Sequence, residues 1–257
     1  MKLVFSLVLI ATASLAQLAA PNPQGVAMGH LHLNAADPDT FKHFWTDLIG
    51  AQLYDKNGLS GVTVPGAIIL IRKATPTGGS VGSTVNHIGF TVPDLQPCIA
   101  KVEAAHLKYT KPNNGAVQIM IDGPEGLRVE LTEEKSATVP LRFHHIHFYT
   151  PDPQAIQAWY SEHFGAIPGK RLLWEAGDLP GTNLTYTQNA TAVPTQGRSV
   201  DHIGFEIKNL EAFCKKLTDS GVKLDVPYNT RPQLKLSLAF LTDPWGTRIE
   251  LTEGLVN

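Results

Sequence analysis

The chain repeats itself, and this constrains what it can fold into more than any other feature. Val85-Asn-His-Ile-Gly-Phe90 returns as Val200-Asp-His-Ile-Gly-Phe205, 115 residues later. Gly29-His-Leu-His-Leu33 returns as His144-His-Ile-His-Phe148 at the same offset, and Val129-Glu-Leu-Thr-Glu133 as Ile249-Glu-Leu-Thr-Glu253 at an offset of 120. Three blocks in one order mark a duplication. The 257 residues thus contain two copies, 26–134 and 143–254, joined by a short polar linker that ends at Pro140. Each copy has an ordinary domain size.

Each copy divides again by pattern. Residues 26–34 alternate in part and read as a strand. Asp37-Pro-Asp-Thr40 reads as a helix start. Phe41, Phe44, Trp45, Leu48 and Ile49 then have helical spacing, and Gly50 ends the helix. Strand-like runs follow, the clearest at 67–71. A second strand begins at Asn86, a second helix at Asp94, and the last strand runs through 130–132. Copy two repeats this order, with helices near 155–164 and 210–220. Each copy therefore reads as strand–helix–three strands, twice: an α+β chain.

Composition narrows the function classes. Hydrophobic residues make up 43% and charged residues 17%, which supplies a core and excludes a disordered chain. A formal net charge of -2 leaves no footprint for nucleic acid. Residues 1–20 read as a signal peptide: a charged start, an apolar run over 3–10, and small residues that include Ser14-Leu15-Ala16. The expectation is an exported protein, secreted or periplasmic, with no membrane span in the mature chain. Cys98 and Cys214 read as buried free thiols.

The polar residues inside the repeated blocks are of types that bind metals. They are His30, His32, His87 and Glu130 in copy one, and His145, His147, His202 and Glu250 in copy two. Strand side chains alternate, so His30 and His32 share a face, as do His145 and His147. A curved sheet can gather the first strand, the His87 strand and the Glu130 strand around one point. Two imidazoles and one carboxylate with open positions suit Fe(II), and also Mn(II) or Zn(II). Glu133 and Glu253 fall on the opposite strand face and read as surface charge. The short linker at 74–85 favours sites within one copy (His30, His87, Glu130), over swapped halves in which His30 joins His202 and Glu250.

With these residues in place, the chain resembles the vicinal oxygen chelate superfamily, which includes glyoxalase I, type I extradiol dioxygenases, bleomycin-binding proteins and fosfomycin-resistance enzymes. The resemblance covers about residues 26–254. It rests on the two His-Ile-Gly-Phe strands and on Gly123-Pro-Glu-Gly126 and Asp243-Pro-Trp-Gly246, each leading to a ligand Glu. It implies tandem domains, each of two paired βαβββ units forming a curved mixed-sheet cup. It implies a divalent metal held by His30, His87, Glu130, His145, His202 and Glu250, with His32 and His147 lining the cup beside it, either as groups that support the ligands or as general bases. The first ligands are His30 and His145 because each lies fourteen residues before a helix aromatic, Phe44 or Trp159.

The chain also departs from the family pattern. The fourth ligand of glyoxalase I falls near Ile69 and Leu184, and the dioxygenase Tyr is replaced by Phe240 and Met120. The resemblance thus implies an exported metal-dependent enzyme acting on a small oxygen-bearing substrate, as a monomer or homodimer. The alternative is a non-catalytic small-molecule binding or sequestration protein.

Overall fold

A computed structural model describes residues 18–113 and 117–255. The expected signal peptide therefore lies outside the described residues, apart from its last three. Four βαβββ units follow one another. The first is β1 (Val26–Ala35), α1 (Pro38–His43), β2 (Gln52–Lys56), β3 (Leu59–Val64) and β4 (Ala67–Lys73). The second is β5 (Val85–Val92), α2 (Gln96–Ala104), β6 (Tyr109–Thr110), β7 (Gln118–Asp122) and β8 (Arg128–Glu133). The third is β9 (Arg142–Thr150), α3 (Pro153–Phe164), β10 (Ile167–Arg171), β11 (Trp174–Leu179) and β12 (Thr182–Gln188). The fourth is β13 (Val200–Ile207), α4 (Leu210–Asp219), β14 (Leu224–Arg231), β15 (Leu236–Thr242) and β16 (Arg248–Glu253).

The units pair across the copies, which corrects the expectation of sites within one copy. One eight-stranded sheet runs β14-β15-β16-β13-β1-β4-β3-β2, and the other β10-β11-β12-β9-β5-β8-β7-β6. The first unit of copy one thus joins the second unit of copy two, and the inner two units join each other. The physical reason is the route of the interhalf segments. Residues 74–84 and 189–199 run together, tied by Thr77 N–H to Gly197 O (2.8 Å), Ser199 N–H to Gly78 O (2.9 Å) and a bridge between Ser83 and Val193. Each segment carries its strand away from its own copy.

Local chemistry sets the element ends. The Asp37 carboxylate accepts from the N–H groups of Asp39 and Thr40, and the Asp152 carboxylate from that of Ala155. Past α1 the chain continues as a π-helical turn, Phe44–Ile49, which Gly50 ends at φ 91; Gly165 ends α3 at φ 71. Glu133 and Glu253 are not free surface charge. The Glu133 carboxylate accepts from Leu95 N–H (3.1 Å), and that of Glu253 from Asn209 and Leu210 N–H (both 3.1 Å). They cap α2 and α4 from the neighbouring strand, where a carboxylate also meets the positive helix end.

The helices cover the convex faces of both sheets over one apolar core, with Trp45, Tyr160, Tyr186, Phe90 and Phe205 among its largest fully buried members. Each such side chain contributes roughly 1.5–3 kcal/mol by burial. Among the described residues, no helix is long and apolar enough to cross a membrane. Both cysteines are free, Cys214 buried and Cys98 partly so.

The two copies differ at the turn before the last strand. Asp243 is buried; its Oδ1 accepts from Trp245 N–H (3.0 Å) and Thr247 N–H (2.8 Å), and its Oδ2 from the Tyr160 hydroxyl (3.0 Å). This locks the turn to α3. In copy one Gly123 takes that place, because the Phe44 ring packs there: an added Cβ would lie 3.0 Å from Phe44 Cζ. Burial pushes the Asp243 carboxyl up to about 6, against its hydrogen bonds. A raised carboxyl favours folding most when protonated, so its contribution is fully present below about pH 4 and falls as pH rises through about 6. Asp243→Asn is always neutral, so its stability relative to the parent protein should improve between pH 4.5 and 7.5, by on the order of 2–3 kcal/mol. Denaturant midpoints of both proteins across this range check it; a constant difference would contradict it.

Candidate metal centres

Each sheet curls around a cup. In cup one, β1 supplies His30 and His32, β13 supplies His202 and β16 supplies Glu250. Nε2 of His30 and Nε2 of His202 approach the same oxygen, Glu250 Oε2, at 3.0 and 2.9 Å. The ring of His32 lies 4.6 Å from that of His202, centroid to centroid. Donor atoms of all four residues fall within 4.8 Å of one another. The register explains the convergence: His30 stands opposite Gly204 across the β1–β13 pair. A Cβ at Gly204 would collide with the His30 ring, so the glycine makes the cradle that ring occupies.

Asp201, directly before His202, sets that ring. Its Oδ1 lies 2.6 Å from His202 Nδ1, which leaves Nε2 aimed into the cup. Burial works against a charged His202, but the carboxylates of Asp201 and Glu250 outweigh it and raise its pKa. Burial works against the Glu250 carboxylate too, yet contacts with His202 and His30 hold it well below the usual carboxylate range. His32 is held well below the ordinary imidazole value, first by burial and then by His202 and His30.

Cup two is built alike from His87 on β5, Glu130 on β8, and His145 and His147 on β9. Donor atoms of the three imidazoles fall within 4.8 Å of one another. Glu130 Oε2 lies 3.2 Å from His87 Nε2 and 3.7 Å from His145 Nε2. The buried His145 Nε2 has no hydrogen-bond partner. Gly89 cradles the His145 ring as Gly204 cradles His30. Burial is the main cause that lowers the pKa of His87, and of His145 and His147 more strongly, so these imidazoles are neutral, the form that binds metals.

Two polar contacts separate the cups. Asn86, not an aspartate, meets His87 Nδ1, at 2.9 Å. Arg171 reaches in from β10 and places Nη2 2.9 Å from Glu130 Oε1, which also accepts from the Thr132 hydroxyl (2.7 Å). Sequence reasoning missed both Asp201 and Arg171. The Asp/Asn difference was visible inside the repeated block, but Arg171 carried no signal, since Lys56 takes the matching place in copy one.

The structure brings His30, His202 and Glu250 together, and separately His145, His87 and Glu130. It does not bring His30 to His87 and Glu130, which belong to the other sheet. The positions expected for a fourth ligand shift by one. Ile69 and Leu184 face the core, and the cup-side residues opposite His30 and His145 are Ile68 and Asn183. The Asn183 amide is taken by Asp178 (2.7 Å) and Thr185 (2.7 Å). Phe240 packs on His202 at 5.2 Å between ring centroids, where it offers no hydroxyl. Trp174 and Tyr149 line cup two, whereas Tyr186 is buried in the core.

The comparisons fit this geometry. Residues 27–131 and 142–251 match the family model described as the Glyoxalase/Bleomycin resistance protein/Dioxygenase superfamily. Glyoxalase I from Zea mays superposes with a TM-score of 0.71 at 16% identity, over 89% of this chain and 92% of that one. A protein of Bacillus subtilis subsp. subtilis str. 168, provisionally named a dioxygenase, superposes with a TM-score of 0.73 at 16% identity, over 93% and 86%. At such identities the likeness shows the fold alone. No curated protein matches the chain. The two matched segments together span most of its length, and the chain belongs to the Glyoxalase/Bleomycin resistance protein/Dioxygenase superfamily.

Proposed function

We propose that the protein is a metal-dependent enzyme of glyoxalase or dioxygenase type that acts in cup one on a small oxygen-bearing substrate. The observation that carries this is the single carboxylate oxygen, Glu250 Oε2, facing both His30 Nε2 and His202 Nε2 at 3.0 and 2.9 Å on the floor of a cavity. The donor chemistry fits a divalent ion: two imidazoles, one carboxylate held ionised, and a glycine-made cradle for one ring. A divalent ion held there, Fe(II), Mn(II) or Zn(II), would supply Lewis acidity toward two neighbouring substrate oxygens.

The chain's own residues do the rest. Asp201 orients His202. His32 is neutral and stands beside His202, placed to take a proton from a bound substrate; His147 holds the corresponding place in cup two, where its Nε2 is engaged by the Thr187 hydroxyl at 2.7 Å. Cup two offers a second donor set, but there the Arg171 guanidinium already neutralises Glu130. A fixed cation on the ligand carboxylate opposes a second positive charge. Sequestration without chemistry is not favoured, because both donor sets are complete. Export is proposed on residues 1–20 alone.

Titration of the metal-free protein with Zn(II) or Co(II), followed by calorimetry, should find one tight equivalent and a weaker second. Glu250→Gln should abolish the tight equivalent, with at least about a hundredfold loss, and Asp201→Asn should weaken it about 10–100-fold. Retention of full affinity in Glu250→Gln would overturn the assignment to cup one. Arg171→Gln should strengthen only the weaker equivalent, by about tenfold or more. An unchanged second equivalent would show that Arg171 does not compete with the ion.

A further inference from the structure

The walls of the two cups carry different residues, although the donor sets match. Cup one encloses about 170 Å³, walled by Leu59, Leu70, Leu234, Leu236, Leu238 and Phe240. Most of these belong to a cluster inside the cup, apart from the core that joins helices to sheets. The repeat places different residues at the matching positions of cup two: Trp174 for Leu59, Thr185 for Leu70, Gln118 for Leu238 and Met120 for Phe240.

The charged groups in the wall of cup one stand at its rim, where Arg248 lies over the Phe240 ring at 4.5 Å. Arg72 and Arg248 both point to Asp201, at 3.4 and 3.3 Å. The Thr252 hydroxyl donates to Glu206 at 2.7 Å. At the floor, the metal donors and His32 are the groups placed to meet polar atoms of a substrate. The space is also below the roughly 300–1,000 Å³ of pockets for drug-sized ligands.

We propose that cup one selects a small substrate whose two vicinal oxygens are carried on an apolar body, a short acyl chain or a compact ring. This rests on the reading of cup one as a metal centre. The oxygens and any proton to be moved sit at the donor floor beside His32. The body lies against the leucines and Phe240.

Calorimetry of the zinc-loaded full-length protein with acetohydroxamate, butyrohydroxamate and hexanohydroxamate tests this, since each presents the same two oxygens. Affinity should rise about two- to fourfold per added methylene, the upper figure corresponding to full burial. Leu238→Gln, which copies cup two, should flatten the rise along the series. Should that variant fail to hold zinc, Leu59→Gln reads the same wall from its partly exposed rim. Equal affinity along the series overturns the apolar preference alone. Failure to bind zinc or acetohydroxamate overturns the metal reading and this inference together.

Discussion

The structure depends on two antiparallel strand pairs in which a histidine of one copy lies over a glycine of the other. In the β1–β13 pair His30 faces Gly204, and in the β5–β9 pair His145 faces Gly89. Any side chain at either glycine would occupy the imidazole's space. These pairs hold each eight-stranded sheet together at its centre, and they bring the first histidine of one copy to the second histidine and the glutamate of the other. Fold and site are thus one constraint: each cup exists only because its two units come from different copies.

Once formed, the cups diverged along separate physical lines. In cup one a carboxylate, Asp201, holds the second histidine, and leucines line the wall. In cup two an amide, Asn86, does the holding, and Arg171 reaches the glutamate from an edge strand. The donor residues were retained while their partners changed. Partners set how strongly a site holds an ion and what it admits, so two cups of one ancestry need not share one task. Asp243 and Gly123 show the same divergence outside the cups, where a buried carboxylate that ties a turn to Tyr160 is replaced by a glycine packed under Phe44.

Much of this was legible in the sequence. The duplication, the strand–helix–three-strand order, the shared face of His30 and His32, and the donor residue types all follow from repeated blocks and strand alternation. The partnership of units did not. Both copies carry the same histidine and the same glycine, so pattern alone accepts either pairing, and only the path of residues 74–84 beside 189–199 decides it. Glu133 and Glu253 were misjudged because alternation showed the face they point from but not the helix ends lying over that face. The fourth-ligand positions slipped by one residue, since a single apolar run such as Ala67-Ile-Ile-Leu-Ile71 does not announce its register. Arg171 was invisible because a lone arginine on a short edge strand has no repeat counterpart of its own kind.

The central claim is that His30 of one copy and His202 and Glu250 of the other hold a divalent ion. Anomalous diffraction at the zinc edge from crystals of the zinc-loaded protein tests it most directly. The account predicts a peak in cup one at about 2.0–2.2 Å from His30 Nε2, His202 Nε2 and a Glu250 oxygen. A peak confined to cup two, or zinc held only by surface residues, would contradict it.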